Sequence, residues 1–347
     1  MGSKSKSKGT PDEACLVLPR HKDLEHDSTT SYPDLIDTHT HVLSTYETYL
    51  SKYPQGKHTQ LANFVNNLLI DNGDQAHKLS KVVDVWCEAP LRTEWRDTVN
   101  QLESIGPQGF YNFVVGSHPH AASDYTNEVE QSFFEALQHD RCVGLGEVGL
   151  DYHYDNSPRD IQQEVLRRQL KAFVKSGLDK AITIHTREAD DDIWTILTEE
   201  LPKHARIHVH CFTDSPELAT KLLNHFPNLY IGITGVVTFS SNLNTAQVVR
   251  NMGINATRSN PQPLRILLET DAPYMIPSNL GPPTSLGMKG GQKLPFSHSG
   301  MLPWTAAFVA QVLNEAVPDR NSDEGDRWTT IDVLQVARDN ARKVYRI

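Results

Sequence analysis

Cysteine is scarce in this 347-residue sequence, and the four present (Cys15, Cys87, Cys142, Cys211) are scattered, with no C-x-x-C pair. That excludes a dense disulfide framework and fits a reducing compartment better than a secreted, disulfide-held protein. Long apolar runs are missing too: nothing approaches the roughly 18 residues needed to cross a bilayer. The first residues, "MGSKSKSKGTPDEACLVLPRHK", carry basic side chains but no apolar core of a secretory signal. Lys6 stands where a myristoylation site wants Ser or Thr. "KSKSK" is expected to be a solvated tail rather than a nuclear address, so the expected location is cytoplasmic, nuclear or both. An excess of positive charge is also lacking. The formal net charge is −10, which excludes a protein that coats nucleic acid by general electrostatics and leaves any phosphate affinity to a local site.

What is present suggests one large domain. Hydrophobic residues make up 38% and charged residues 22%, enough apolar material for a sizeable core. A polar leader is expected over residues 1–30, disordered, with a single domain over 31–347. Short β-branched runs then alternate with helix-like segments. Strands are predicted at 34–41, 81–87, 111–118, 142–148, 180–186, 206–212, 229–235 and 265–271. The stretch "PRDIQQEVLRRQLKAFVKSG" reads as a helix with Ser157 as N-cap, Pro158 at its first position and Gly177 past its end. Eight strands each followed by helical sequence imply parallel pairing, and eight closes a (β/α)8 TIM-like barrel. A doubly wound sheet is the alternative, but no G-x-G-x-x-G lies near the first strand. Extended loops are expected at 42–80 and 277–300, the second rich in Pro and Gly. Two helices, from 304 and from 330, end the chain.

Side chains able to bind metal fall at the C-terminal ends of the predicted strands: His39, His41, Glu147, His185, His210 and Asp271. In a barrel those ends ring one mouth, so residues more than 200 positions apart can converge. Four imidazoles and two carboxylates can hold two divalent cations, with one carboxylate bridging. The donor set suits Zn, Mn or another borderline ion better than Ca, and Mg also fits. Any one strand histidine taken alone reads more simply as a hydrogen-bonded core or surface residue. Six such placements at six matching ends argue against that. His208 lies deeper in its strand and is assigned to packing or to a place behind the ligands, and Asp37 to a role behind the ligands.

The motifs "IDTHTH" (36–41), "GSHPH" (116–120), "GLGEVGLDYHYD" (144–155), "ITIHTREA" (182–189), "HCF" (210–212), "IGITGVVTF" (231–239) and "LLETDAPY" (267–274) occur in this order. Together they resemble the TatD family of metal-dependent deoxyribonucleases, within the amidohydrolase-like barrels, in a eukaryotic, fungal-type branch. The resemblance spans about residues 34–275 and continues weakly through "DNARKVY". It implies that His39, His41, Glu147 and Asp271 hold one metal while Glu147, His185 and His210 hold the other. Related barrels often bridge with a carbamylated lysine; this chain has Glu147. The implied reaction is hydrolysis of DNA phosphodiester bonds by a metal-activated water, with DNA as substrate rather than tight ligand. Asp271 and Glu147 are the implied catalytic carboxylates, with Asp271 also able to take a proton from the attacking water. Arg187 is a candidate phosphate clamp, and His118, His120 and Tyr152 are candidate substrate contacts.

Two departures stand out. Where the family usually carries an "RGxxNEP"-type segment soon after "ETDAP", this chain has an expanded stretch ending in "LPFSHSGMLPW". The first loop is also longer than usual. Both lie at the mouth, which keeps open hydrolysis of another ester, a lactone or an amide at the same metals. It also keeps open an adaptor whose extended loops bind a protein partner.

Overall fold

The structure, a computed structural model, describes residues 9–22, 33–71, 79–154, 156–317 and 326–347. Eight strands run β1 (Leu35–Thr40), β2 (Leu79–Trp86), β3 (Tyr111–Val115), β4 (Cys142–Asp151), β5 (Ala181–Arg187), β6 (Ile207–Val209), β7 (Leu229–Ile233) and β8 (Ile266–Leu268). All neighbours pair in parallel in the order β1 to β8. The barrel closes just beyond β8, where Asp271 N–H donates to the His39 carbonyl at 2.9 Å and His41 N–H to the Ala272 carbonyl at 2.9 Å. The expected (β/α)8 TIM-like barrel is the fold observed. Buried Val, Ile and Leu dominate the strands because helices cover the outer face of a parallel sheet and side chains fill its inside.

The helices are α1 (Val42–Lys52), α2 (Leu61–Val65), α3 (Trp95–Leu102), α4 (Asn127–Leu137), α5 (Arg159–Ser176), α6 (Asp190–Glu200), α7 (Pro216–His225), α8 (Asn244–Gly253), α9 (Leu302–Ala316) and α10 (Thr330–Tyr345). Thr329 caps α10 in a reciprocal box with Asp332, satisfying two N-terminal amides. Gly177 ends α5 at φ 67°, the left-handed conformation that glycine adopts without a Cβ penalty. Ser157 is not the N-cap; Pro158 occupies that position. The Ser157 hydroxyl instead accepts from Ser123 N–H and donates to the His120 carbonyl, bracing the turn after β3.

Two further expectations change. Residues 42–71 are mostly helical rather than a loop: α1, α2 and a π-helical turn (Asn66–Ile70) bury Tyr46, Tyr49, Phe64 and Leu68. The remainder of that stretch up to β2, residues 72–78, lies outside the described residues. Part of the polar leader is ordered too. A 3-10 turn (Glu13–Leu16) packs Cys15, Leu16 and Leu18 into the core, with Leu16 only 1% exposed. Burying one such leucine contributes about 1.5–3 kcal/mol, enough to hold a short segment whose Glu13 also accepts from the Tyr49 hydroxyl at 2.6 Å. The rest of the leader, residues 1–8 and 23–30, lies outside the described residues.

At the bottom of the barrel, Tyr345 of α10 reaches inward. Its hydroxyl lies 2.8 Å from Thr183 Oγ1 and 2.7 Å from His208 Nδ1. His208 is fully buried there, with Nε2 2.8 Å from Glu269 Oε2, away from the open mouth.

Candidate metal centre

Five of the six candidate side chains lie at or just past a strand end. His39 is the penultimate residue of β1 and His41 follows that strand; His185 lies near the end of β5; His210 immediately follows β6. Glu147 sits inside β4, which runs three residues further than predicted, to Asp151. Asp271 lies three residues past β8 at φ 52°, left-handed backbone that Asp tolerates better than most residues. The β4–β5 approach is close: a Cβ on Gly149 would fall 1.8 Å from the His185 carbonyl oxygen, so only glycine fits.

The six side chains converge. Glu147 Oε1 lies 2.8 Å from both His185 Nδ1 and His210 Nε2, while its Oε2 faces His39 Nε2 at 3.4 Å. His41 Nε2 lies 3.4 Å from Asp271 Oδ1, and His39 Nε2 lies 3.7 Å from the same oxygen. The rings of His39 and His210 stack with centroids 3.8 Å apart. Both nitrogens of His39, and Nδ1 of His210, are buried without a hydrogen-bond partner among the described residues. Leaving a buried polar atom unsatisfied costs about 1–3 kcal/mol. Imidazole nitrogens gathered around carboxylate oxygens in this way fit divalent cations better than they fit one another.

Burial dominates the ionisation of these groups. It pushes the His39 imidazole down to about 4, helped by neighbouring His210, and so keeps His39 a neutral electron-pair donor. Burial would also lower His41, but the hydrogen bond and charge of Asp271 outweigh it and lift that ring to about 9. Burial opposes ionisation of Glu147, yet His210 and His118 hold its carboxyl well below the usual range. Asp271 is lowered against burial by the hydrogen bond from His41 and by nearby His210.

Asp37 supports from behind, as expected. It accepts from Thr270 Oγ1 at 2.6 Å, Thr270 N at 3.0 Å and Ser299 Oγ at 2.7 Å. Burial pushes its pKa up to about 7, with the Thr270 and Ser299 bonds offsetting part of the shift. Ser299 belongs to the substituted segment "LPFSHSGMLPW", so this chain's own insert braces β1 against the turn bearing Asp271.

The candidate substrate contacts divide. His118 comes to the cluster itself, its Nε2 3.5 Å from Glu147 Oε1, and forms a potential ligand group with Glu147 and His185. His120 sits beside it, Nε2 3.0 Å from Asp151 Oδ2. Arg187 lies at the rim with its guanidinium 5.0 Å from the Tyr154 ring. Tyr152 does not reach the mouth. It is 8% exposed, and its hydroxyl lies 2.7 Å from both Asp192 Oδ2 and Gln163 Nε2, locking β4 to α5 and α6. Tyr154, 48% exposed and 5.6 Å from the His120 ring, takes the outward position instead. Two acids escaped sequence reasoning. Asp151 lies 3.1 Å from His185 Nε2, fixing that ring's orientation. Glu269, fully buried, forms a potential ligand group with His39 and His210. Its signal was its place two residues before Asp271, the spacing that puts side chains on one strand face.

A parallel eight-stranded barrel with histidines and carboxylates gathered at its C-terminal mouth defines a class, the metal-dependent hydrolases of amidohydrolase-like architecture. Its shape matches a TatD family hydrolase from Entamoeba histolytica (TM-score 0.64, 16% identity, 91% of this chain and 99% of that one). It also matches the TatD homolog YJJV from Escherichia coli (TM-score 0.58, 21% identity, 90% and 98%). The family model described as TatD related DNase matches residues 36–346, and the chain belongs to that family. In sequence it is 30% identical to the uncharacterized metal-dependent hydrolase YabD of Bacillus subtilis over 79% of this chain and 90% of that protein. It is 36% identical to the human 3'-5' RNA nuclease TATDN2 over 203 residues, 58% of this chain, but spans only 24% of that relative's length. It is 28% identical to the 3'-5' ssDNA/RNA exonuclease TatD of Musicola paradisiaca over 70% of this chain and 79% of that protein. These matches favour neither an ester, lactone or amide substrate nor a purely adaptor role. Among the described residues, no helix is long and apolar enough to cross a membrane.

Proposed function

We propose that this chain is a nuclease that cleaves phosphodiester bonds of DNA with two divalent cations, Mg, Mn or Zn. The observation that carries this reading is the division of Glu147: one carboxylate oxygen faces His185 and His210, the other faces His39. That division supports a bridging role for Glu147. His39, His41 and Asp271 would hold one cation with Glu147, and His185 and His210 the second. The relatives named as exonucleases and as an RNA nuclease support nucleic acid as the substrate class.

When bound, the cations supply Lewis acidity toward an attacking water and the scissile phosphate. The chain's own groups do the rest. Asp271 is held as a carboxylate beside His41 and accepts the proton of the attacking water. His118 and His120 line the same wall, and Arg187 at the rim clamps a phosphate of the strand. Asp151 and Asp37 hold His185 and the β1–Asp271 turn in register.

The test is nucleotide release from single- and double-stranded DNA with Mg, Mn or Zn, combined with elemental analysis. The reading requires two metal equivalents per chain and cleavage that disappears in the double variant His39→Ala, Asp271→Ala. Absence of cleavage with all three metals, or activity surviving that variant, overturns it.

A further inference from the structure

Beside the candidate metal ligands, the expanded segment after β8 lines a cavity of ≈ 620 Å³, within the range of small-molecule sites. Its walls are largely apolar, including Phe239, Ile276, Leu286 and Met288. Tyr274 links it to the centre: this ring is 59% exposed, lines the cavity, and lies 6.4 Å from the His41 ring. Residues 277–300 contain two lysines, Lys289 and Lys293, and no acidic residue, in a chain of net charge −10. Both lysines are exposed, and Lys293 lines the cavity.

The walls are anchored on two sides. Ser278 N–H donates to Thr238 Oγ1 at 2.7 Å, tying the segment to the turn after β7. Gln292 Nε2 donates to the Gly9 carbonyl at 2.9 Å, tying it to the ordered leader.

An exposed aromatic ring near the candidate centre, an apolar slot and a lysine on the same cavity wall fit a nucleobase attached to a phosphate. We propose that this cavity is a nucleobase subsite. It receives the base next to the scissile phosphate, stacked on Tyr274, while Lys293 pairs with a neighbouring phosphate. The proposal rests on the nuclease reading and adds to it a contact to the base itself, which a base stacked in a duplex cannot make.

Fluorescence anisotropy in EDTA, where no cleavage occurs, tests the subsite apart from catalysis. The probes are a fluorescein-labelled hexathymidylate and the same oligonucleotide with abasic sites. Wild-type protein should bind the base-bearing strand about tenfold more tightly, the scale of one stacked base. Ile276→Trp, which fills the slot, should remove that preference; Lys293→Gln, an exposed change that leaves the core intact, should weaken both probes alike. Equal anisotropy for the two probes with wild-type protein overturns the subsite, as does an undiminished preference in a folded Ile276→Trp protein. Cleavage without base dependence then leaves the nuclease reading standing alone. Base-dependent binding with no cleavage under any metal sinks the nuclease reading and leaves the subsite.

Discussion

The two ends of this barrel use the same residue types to opposite ends. Toward the bottom, the Tyr345 hydroxyl meets His208 Nδ1 and Thr183, while His208 Nε2 lies against Glu269, the acid that also borders His39 and His210. At the mouth, His39 and His210 are nearly as buried, and three of their four ring nitrogens have no hydrogen-bond partner among the described residues, against one of the two in His208. His208 and His210 stand two residues apart, so one strand's worth of chain carries both. The difference lies in what the opposite wall offers: at the bottom a tyrosine from α10, at the mouth only other imidazoles and carboxylates. A histidine supplied with a protein partner belongs to the packing. One whose neighbours compete for the same proton is set up to share a cation.

The comparison can be broken at its strongest point first. Glu147→Gln removes the carboxylate charge that faces His185, His210 and His39, and metal content should fall below one equivalent with at least about a 100-fold loss of activity. Retention of two equivalents by elemental analysis would mean that Glu147 bridges nothing. A smaller effect is expected behind the ligands. Asp37→Asn weakens the bonds from Thr270 and Ser299 and should lower metal affinity by about 10–100-fold; chelator competition measures it, and unchanged affinity would confine Asp37 to folding.

At the bottom end the prediction reverses. Tyr345→Phe deletes the hydroxyl shared by Thr183 and His208 and should cost about 1–3 kcal/mol of stability, with metal content unchanged. Loss of metal in that variant would show that the two ends are coupled. Metal removal supplies the smallest perturbation of covalent structure. With cations at about 100 times their dissociation constant, chelation should lower stability by about 2.7 kcal/mol per site, visible as a lower Tm. Equal Tm with and without EDTA would contradict a loaded centre.

Much of this was legible in the sequence, because strand periodicity fixes which side chains share a face. The alternation in "IDTHTH" put Asp37, His39 and His41 together, and the βα repeat placed Glu147, His185, His210 and Asp271 around the same mouth. Tyr152 shows where that reading stopped. Whether Tyr152 or Tyr154 faces the mouth depends on where β4 ends and how the chain turns, and β4 ran three residues past its expected limit. Asp151 and Glu269 were passed over because each lies next to or near a more prominent motif residue. The loop expected at 42–80 is mostly helical over its described part, 42–71, where Tyr46 and Tyr49, then Phe64 and Leu68, recur at helical spacing and pack in one core with the leader's Cys15, Leu16 and Leu18.

The seam that closes the barrel lies within the candidate centre: Asp271 and His41 donate backbone hydrogen bonds across it, and Thr38 Oγ1 reaches the Leu268 carbonyl 230 residues along the chain. A ribosome must therefore release some 270 residues before the first histidines meet the last aspartate. During synthesis the candidate ligands therefore stay apart, and the full set can come together only once the last strand has been made.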